Sequence, residues 1–267
     1  MKIMTIKYQL TAILILLATA SCTKVIDLKL GNNTGKLVIE GNITDTGSHQ
    51  SIMLSQNVPF SNTNTYPPVS GAVVSVRDDK GNIYPFTEGA AGTYSTNMMK
   101  TTTGVSYTMT VLTNGETYSA NSTMPALVQL DSITTQKKEF NNSKGQQNVL
   151  VHYKDPAGLG NQYRFVMYVN NIQVKWIFAF NDDFTDGRYV NNDLQEDDID
   201  IYRGDTVTVE MQCIDKPIYT YWLTLMQQAG NGPEGSVAPS NPPTNITPAT
   251  LGYFSAHTTQ IKTIIVK

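Results

Sequence analysis

The sequence predicts an all-β protein with one helix. Short stretches of alternating apolar and polar residues recur along the chain, separated by turns rich in Gly, Asn, Asp and Pro. That is the period-two pattern of half-buried strands. Charged residues make up only 15% of the chain, against about 25% in an average soluble domain, and Thr, Ser and Asn take their place. The third observation is a single change of period, to helical spacing, around Ile218–Leu225. This composition argues against charge-driven disorder and against a helical bundle or coiled coil.

The first 35 residues precede the fold. Lys2 and Lys7 carry positive charge ahead of the apolar stretch Leu10–Ala20. That stretch is shorter than the roughly 20 residues that span a bilayer, and it ends in small residues at a cysteine, which is the pattern of an export signal. Thr19-Ala20-Ser21-Cys22 is similar to a bacterial lipobox, with Thr19 in place of the usual Leu. The expectation is a signal peptide over 1–21, lipidation at Cys22 and a polar tether over 22–35. One acyl chain binds a membrane only marginally, so two or three make a durable anchor.

A first domain is expected over 36–125. Its strands are Lys36–Glu40, Ile52–Ser55, Gly71–Asp78, Ile83–Thr87, a short one opening at Gly92-Thr93-Tyr94, Ser106–Thr113 and Glu116–Asn121. Asn114-Gly115 joins the last two and is the strongest short hairpin signal, needing positive φ at both positions. Seven short strands in about 90 residues indicate an immunoglobulin-like β-sandwich. Met124-Pro125 marks a boundary, and 126–267 reads as a second β-rich domain. Its expected strands are Leu130–Lys138, Val149–Lys154, Gln162–Val169, Ile172–Phe180, Asp205–Ile214, Gly252–Ala256 and Gln260–Val266. Asn181–Asp200 reads as a long acidic loop. Ile218, Tyr221, Trp222 and Leu225 share one helical face, so a helix is expected near 216–229. Asp215 would cap it, Pro217 suits its first turn and Gly230 would end it.

Chemistry is sparse. No phosphate loop, zinc-protease helix, nucleophile elbow or CxxC pair occurs, so no catalytic residue is assigned and a non-catalytic protein is expected. His49, His152 and His257 are widely spaced; a catalytic group assembled from distant residues would show as His152 or His257 beside a carboxylate and a serine in a deep cleft. Eight acidic residues crowd 181–200. Their spacing fails the EF-hand pattern, because Phe184 falls third when Asp182 is first. Asp182, Asp183 and Asp186 stand as the weak metal candidates, with calcium as the ion; the alternative is a solvated loop held extended by repulsion. Trp176, Tyr66 and Tyr189 are candidate ligand contacts, whereas Trp222 and Cys213 read as core residues. A net charge of −3 gives no footprint for nucleic acid.

A wider pattern joins these pieces. After the cysteine come Leu37-Val38-Ile39-Glu40-Gly41, then Gly71-Ala72-Val73-Val74-Ser75-Val76-Arg77-Asp78-Asp79-Lys80-Gly81, then Gly92-Thr93-Tyr94. Tyr107-Thr108-Met109-Thr110-Val111 follows, and near the end stand Asn241-Pro242-Pro243-Thr244-Asn245-Ile246 and Leu251-Gly252-Tyr253-Phe254-Ser255-Ala256. The chain resembles the Bacteroidota lipoprotein family called domain of unknown function 4249, from Cys22 to near the C-terminus. The first half also resembles the carboxypeptidase-regulatory-like sandwich. Thr247-Pro248-Ala249-Thr250 departs from the glycine pair that family members tend to carry there.

The resemblance implies an outer-membrane lipoprotein, often encoded beside a TonB-dependent receptor, with no catalytic residues assigned. The expected function is that of an accessory or binding component of a TonB-dependent nutrient uptake system. The alternative is a structural or adhesive cell-surface module. Expected partners are the membrane through the lipid, a receptor barrel, and a small-molecule or glycan ligand. Asp27 is the one acid close behind Cys22, so the periplasmic and cell-surface faces both stay open. Asn241 and Asn245 are expected to fix turns by side-chain hydrogen bonds, with Tyr253 and Phe254 buried in the second-domain core.

Overall fold

Alternation along the expected strands is visible as alternation of burial. The computed structural model describes residues 34–47, 49–59, 62, 65–138, 145–229 and 240–267. The expected signal peptide, Cys22, the tether as far as residue 33 and Gly230 lie outside the described residues. In β1 (Leu37–Thr44) Ile39, Gly41 and Ile43 point inward. In β6 (Ser106–Thr113) Tyr107, Met109 and Val111 do the same. The turn from β6 to β7 (Glu116–Thr123) places Asn114 and Gly115 at φ +51° and +79°, the hairpin geometry the dipeptide predicts.

Thr34–Lys267 forms one unit, built on one long curled sheet and one short one. With β2 (Gln50–Gln56), β3 (Val73–Asp78), β4 (Ile83–Glu88) and β5 (Thr93–Thr96), the first half runs in the order β1-β2-β5-β4-β3-β6-β7. The second half supplies β8 (Leu130–Lys137), β9 (Gln147–Lys154), β10 (Gln162–Val169), β11 (Ile172–Gln173), β12 (Phe178–Asn181), β13 (Tyr189–Asp193) and β14 (Thr206–Ile214). Helix α1 (Lys216–Ala229) and the strands β15 (Ile246–Thr247) and β16 (Leu251–Ile265) complete it. The strands β10-β14-β16 join the long sheet beside β1, and β13-β9-β8 form the short sheet.

Two apolar cores result. The long sheet curls until β7 meets β16, where the Ala256 amide donates to Ser122 Oγ at 2.9 Å. Ile39, Ile52, Tyr94, Met109 and Phe254 fill the space inside this first sandwich. The short sheet covers β10 and β14, and Tyr153, Tyr163, Phe165, Val209 and Met211 fill the second core. Phe254 therefore belongs to the first core, not the second as expected. The fold class is all-β with β-sandwich packing and one helix among the described residues.

β16 was expected as two strands and is one. It pairs in parallel with β1 over Leu251–His257 and antiparallel with β14 over Thr258–Ile265. His257-Thr258-Thr259 hides this continuity, because all three are buried polar residues that break the apolar alternation. Ile172–Phe180 was expected as one strand and is two. Three steps along β10 match five along this segment, so residues 174–177 bulge and Trp176 packs against the second core. The expected loop over Asn181–Asp200 contains β13, which pairs with β9. Its polar strand, Tyr189-Val190-Asn191-Asn192-Asp193, buries only one apolar residue deeply, Val190.

Candidate functional site

The second face of the long sheet carries polar residues. Where Tyr163, Phe165 and Met167 of β10 point into the core, Arg164, Val166 and Tyr168 point away from it. The same alternation on β14 turns Glu210 and Gln212 outward. On β16 it turns Tyr253, Ser255, His257 and Thr259 outward, and on β1 it does so for Asn42 and Thr44.

Helix α1 closes one end of this face. Asp215 caps it as expected, accepting from the Ile218 amide at 3.3 Å. Asp215 also accepts from Ser122 Oγ at 2.8 Å and the Thr123 amide at 3.0 Å, which ties the helix start to β7. Ile218 packs with Ile214 and Tyr253, and Tyr221 and Trp222 lie against them. Trp222 is half-buried, with its ring 5.3 Å from that of Tyr253.

Beside the helix lies a cleft of about 250 Å³, lined by Arg164, Tyr168, Glu210, Gln212, Tyr253 and His257 among others. The Arg164 guanidinium stacks on Trp222 at 3.6 Å from the ring centroid, a cation–π contact. Its Nη1 donates to Gln212 Oε1 at 2.9 Å. Gln212 Nε2 donates to Glu210 Oε1 at 2.8 Å, and Thr259 Oγ1 donates to the same oxygen at 2.9 Å. The amide thus stands between cation and carboxylate, and no ion pair joins Arg164 to Glu210.

His257 borders the cleft and is buried. Burial first, and the Arg164 charge second, push its imidazole down to about 3. Its Nδ1 lies 3.0 Å from Ser255 Oγ, a serine–histidine contact on one strand. A general base works best with a pKa near the operating pH, from which this imidazole is displaced, and Glu210 is bonded to Gln212 and Thr259 instead of orienting the ring. The arrangement suits hydrogen bonding to a bound solute.

The acidic residues divide. Asp182 and Asp186 come together, and Asp155, which the sequence reading missed, completes a group whose ligand oxygens lie within 4.8 Å of one another. Asp183 is not in it; its carboxylate accepts from Asn181 Nδ2 at 2.5 Å. A calcium ion takes oxygen ligands at about 2.3–2.6 Å, so three oxygens at this spread can share one ion. The same carboxylates also pin turns. Asp182 accepts from the Gly160 and Asn161 amides, both at 2.9 Å, and Asp186 from the Gly158 amide at 2.6 Å. Asp155 accepts from Tyr163 Oη and from the Gly187 amide. Further along, Asp197 pairs with Lys138 at 2.5 Å and Asp198 with Lys175 at 3.5 Å. This stretch is braced by partners instead of being held open by repulsion.

The remaining candidates scatter. His152 Nε2 lies 2.6 Å from Thr134 Oγ1, and its Nδ1 2.6 Å from Asn191 Oδ1. His49 Nδ1 lies 2.8 Å from Asn97 Oδ1. Tyr66 is exposed in a loop, and Tyr189 is exposed at the start of β13. Cys213 is buried in the second core, where burial pushes its thiol up. An open groove of about 790 Å³ runs along Asn241, Pro242, Pro243 and Thr244. Asn245 beside it bonds both the amide and the carbonyl of Phe254, so it pins strands to each other instead of fixing a local turn. Arg164 escaped the sequence reading because an arginine between Tyr163 and Phe165 looks like any outward strand residue. Trp222 and Gln212 are far from it in sequence.

The chain matches the family described as Domain of unknown function (DUF4249) over residues 23–263. No curated protein matches it. Among solved structures it is similar to a two-domain fibronectin type-III segment from chicken tenascin, at 8% identity and a TM-score of 0.23, covering 68% of this chain and 91% of that one. It is also similar to the adhesin InvE of Yersinia pseudotuberculosis, at 19% identity and a TM-score of 0.21, covering 66% of this chain and 54% of that one.

Proposed function

We propose a role from the premise that this chain belongs to the DUF4249 family: a non-catalytic lipoprotein, held at the outer membrane through Cys22, that serves as an accessory or binding component of a TonB-dependent uptake system. The lipobox-like Thr19-Ala20-Ser21-Cys22 supports the anchor. The observation that carries binding over catalysis is the cleft beside α1. It presents a stacked arginine, a carboxylate and an amide toward one small volume, while its imidazole is held neutral.

The role is tested by recovering the tagged protein from outer membranes and identifying stable partners. A receptor-type barrel among them is the expected result, and its absence overturns the transporter link. The anchor has its own test. Cys22→Ser removes the thiol that acylation needs, so incorporation of a labelled fatty acid is lost and the protein moves from the membrane to the soluble fraction. Labelling that persists in the variant would refute lipidation at this residue.

A further inference from the structure

The donors of Arg164 are only partly used. Nη1 serves Gln212 and the ring of Trp222 covers one face of the guanidinium. Among the described residues, Nε and Nη2 have no protein acceptor, and neither atom is sealed from solvent. These two form the edge of a guanidinium that matches both oxygens of a carboxylate. Trp222 and Gln212 hold that edge in one orientation, so little side-chain freedom remains to be lost on binding.

We propose that the cleft beside α1 binds a small carboxylate-bearing solute, with its carboxylate on the Nε–Nη2 edge of Arg164 and a hydroxyl or ammonium group on Glu210. Charge restricts the class. Among the described residues Arg164 is the one cation lining the cleft, and Glu210 lines it too. A monoanion finds one guanidinium and a tolerable neighbour, whereas a phosphate dianion meets the Glu210 carboxylate with a single cation to offset it. Glu210 Oε1 is occupied by Gln212 and Thr259, while Oε2 has no protein donor among the described residues and serves as acceptor. The ring of His257, bonded through Nδ1 to Ser255, adds a polar atom, Nε2, with no partner among the described residues. A volume of about 250 Å³ limits the solute to roughly the size of an amino acid or a short hydroxy acid, below the ~300 Å³ at which drug-sized ligand pockets begin.

This inference rests on the binding reading above but has a separate test. Calorimetry on the purified full chain compares glycine and lactate, which carry a carboxylate and a donor, with acetate and inorganic phosphate. Glycine or lactate is expected to bind more tightly than acetate, and phosphate least. Arg164→Gln is expected to weaken the preferred probe by about tenfold or more, the cost of a lost charge-assisted pair. Glu210→Gln, which leaves the guanidinium in place, is expected to erase the preference over acetate; it decides the matter if the arginine variant fails to fold. Equal binding by wild type and Arg164→Gln, phosphate binding tighter than every monocarboxylate, or no heat with any of the probes overturns the proposal. A receptor recovered from membranes alongside a silent cleft would sink this inference and leave the uptake role standing; carboxylate binding with no receptor partner would do the reverse.

Discussion

His257 is neutral in the folded protein because burial, helped by the Arg164 charge, holds its pKa near 3, below the usual value of about 6.5. The sign of the pH effect follows from proton counting. Between the two values the unfolded chain binds a proton that the folded chain does not, so stability rises with pH through this window and is lost as pH falls. Above the window His257 contributes no pH dependence. Urea unfolding should show, between about pH 6 and pH 4, a component approaching about 1.4 kcal/mol per pH unit that His257→Gln removes. An unchanged slope in the variant would mean that the imidazole is charged in the fold. Gly252 is a second residue with little freedom. Its φ is +95°, and a Cβ there would sit 2.0 Å from the Ile39 carbonyl oxygen across the β1–β16 pairing. Gly252→Ala should cost about 2–4 kcal/mol in the same assay, which gives the Leu-Gly-Tyr-Phe segment a steric reason for its glycine.

At the scale of elements, α1 is held by its first residues. Asp215 caps the helix and also receives Ser122 and Thr123 from β7. Asp215→Ala should therefore cost more than the ~1 kcal/mol of a lost cap, about 2–3 kcal/mol in all, because two further donors lose their acceptor. Asp215→Asn, which can still accept, should cost less; burial already pushes the Asp215 carboxyl upward. A Tm series checks the order. The helix was legible because its signals are local: the capping aspartate, the proline and the spacing of Ile218, Tyr221 and Trp222 occupy adjacent residues. The Asn114-Gly115 hairpin was legible for the same reason. β13 was hidden because its strand is mostly polar and its partner β9 ends at Lys154, well before Tyr189 in sequence. The cleft was hidden because Arg164 gains meaning only beside Trp222 and Gln212, and the acidic group because Asp155 comes from a different turn. Sequence spacing recovered two of its three carboxylates and substituted Asp183 for the third.

The whole molecule depends on its last strand. β16 runs beside β1 and then beside β14, so one stretch of backbone belongs to both sandwiches. The first core draws on residues up to Met124 and the second on residues from Val128 onward, with one return: Ile246, Phe254 and Ala256 come back to complete the first core. Asn245 fastens that return by bonding Asn121 of β7 and Phe254 of β16 together. A chain ending at Pro125 would lose Phe254 from its core and β16, one of the two hydrogen-bonding partners of β1, leaving an open apolar sheet edge. It should be unfolded or aggregated by far-ultraviolet circular dichroism and amide dispersion, although it holds all seven strands of the expected first domain. The full chain should unfold in one transition. The fluorescence of Trp176 and Trp222, both in the second half, and circular dichroism from both halves should give one midpoint. A folded fragment ending at Pro125, or two separated midpoints, would show that the first sandwich stands without β16. The shared strand would then be a junction between independent domains and not the element that makes them one.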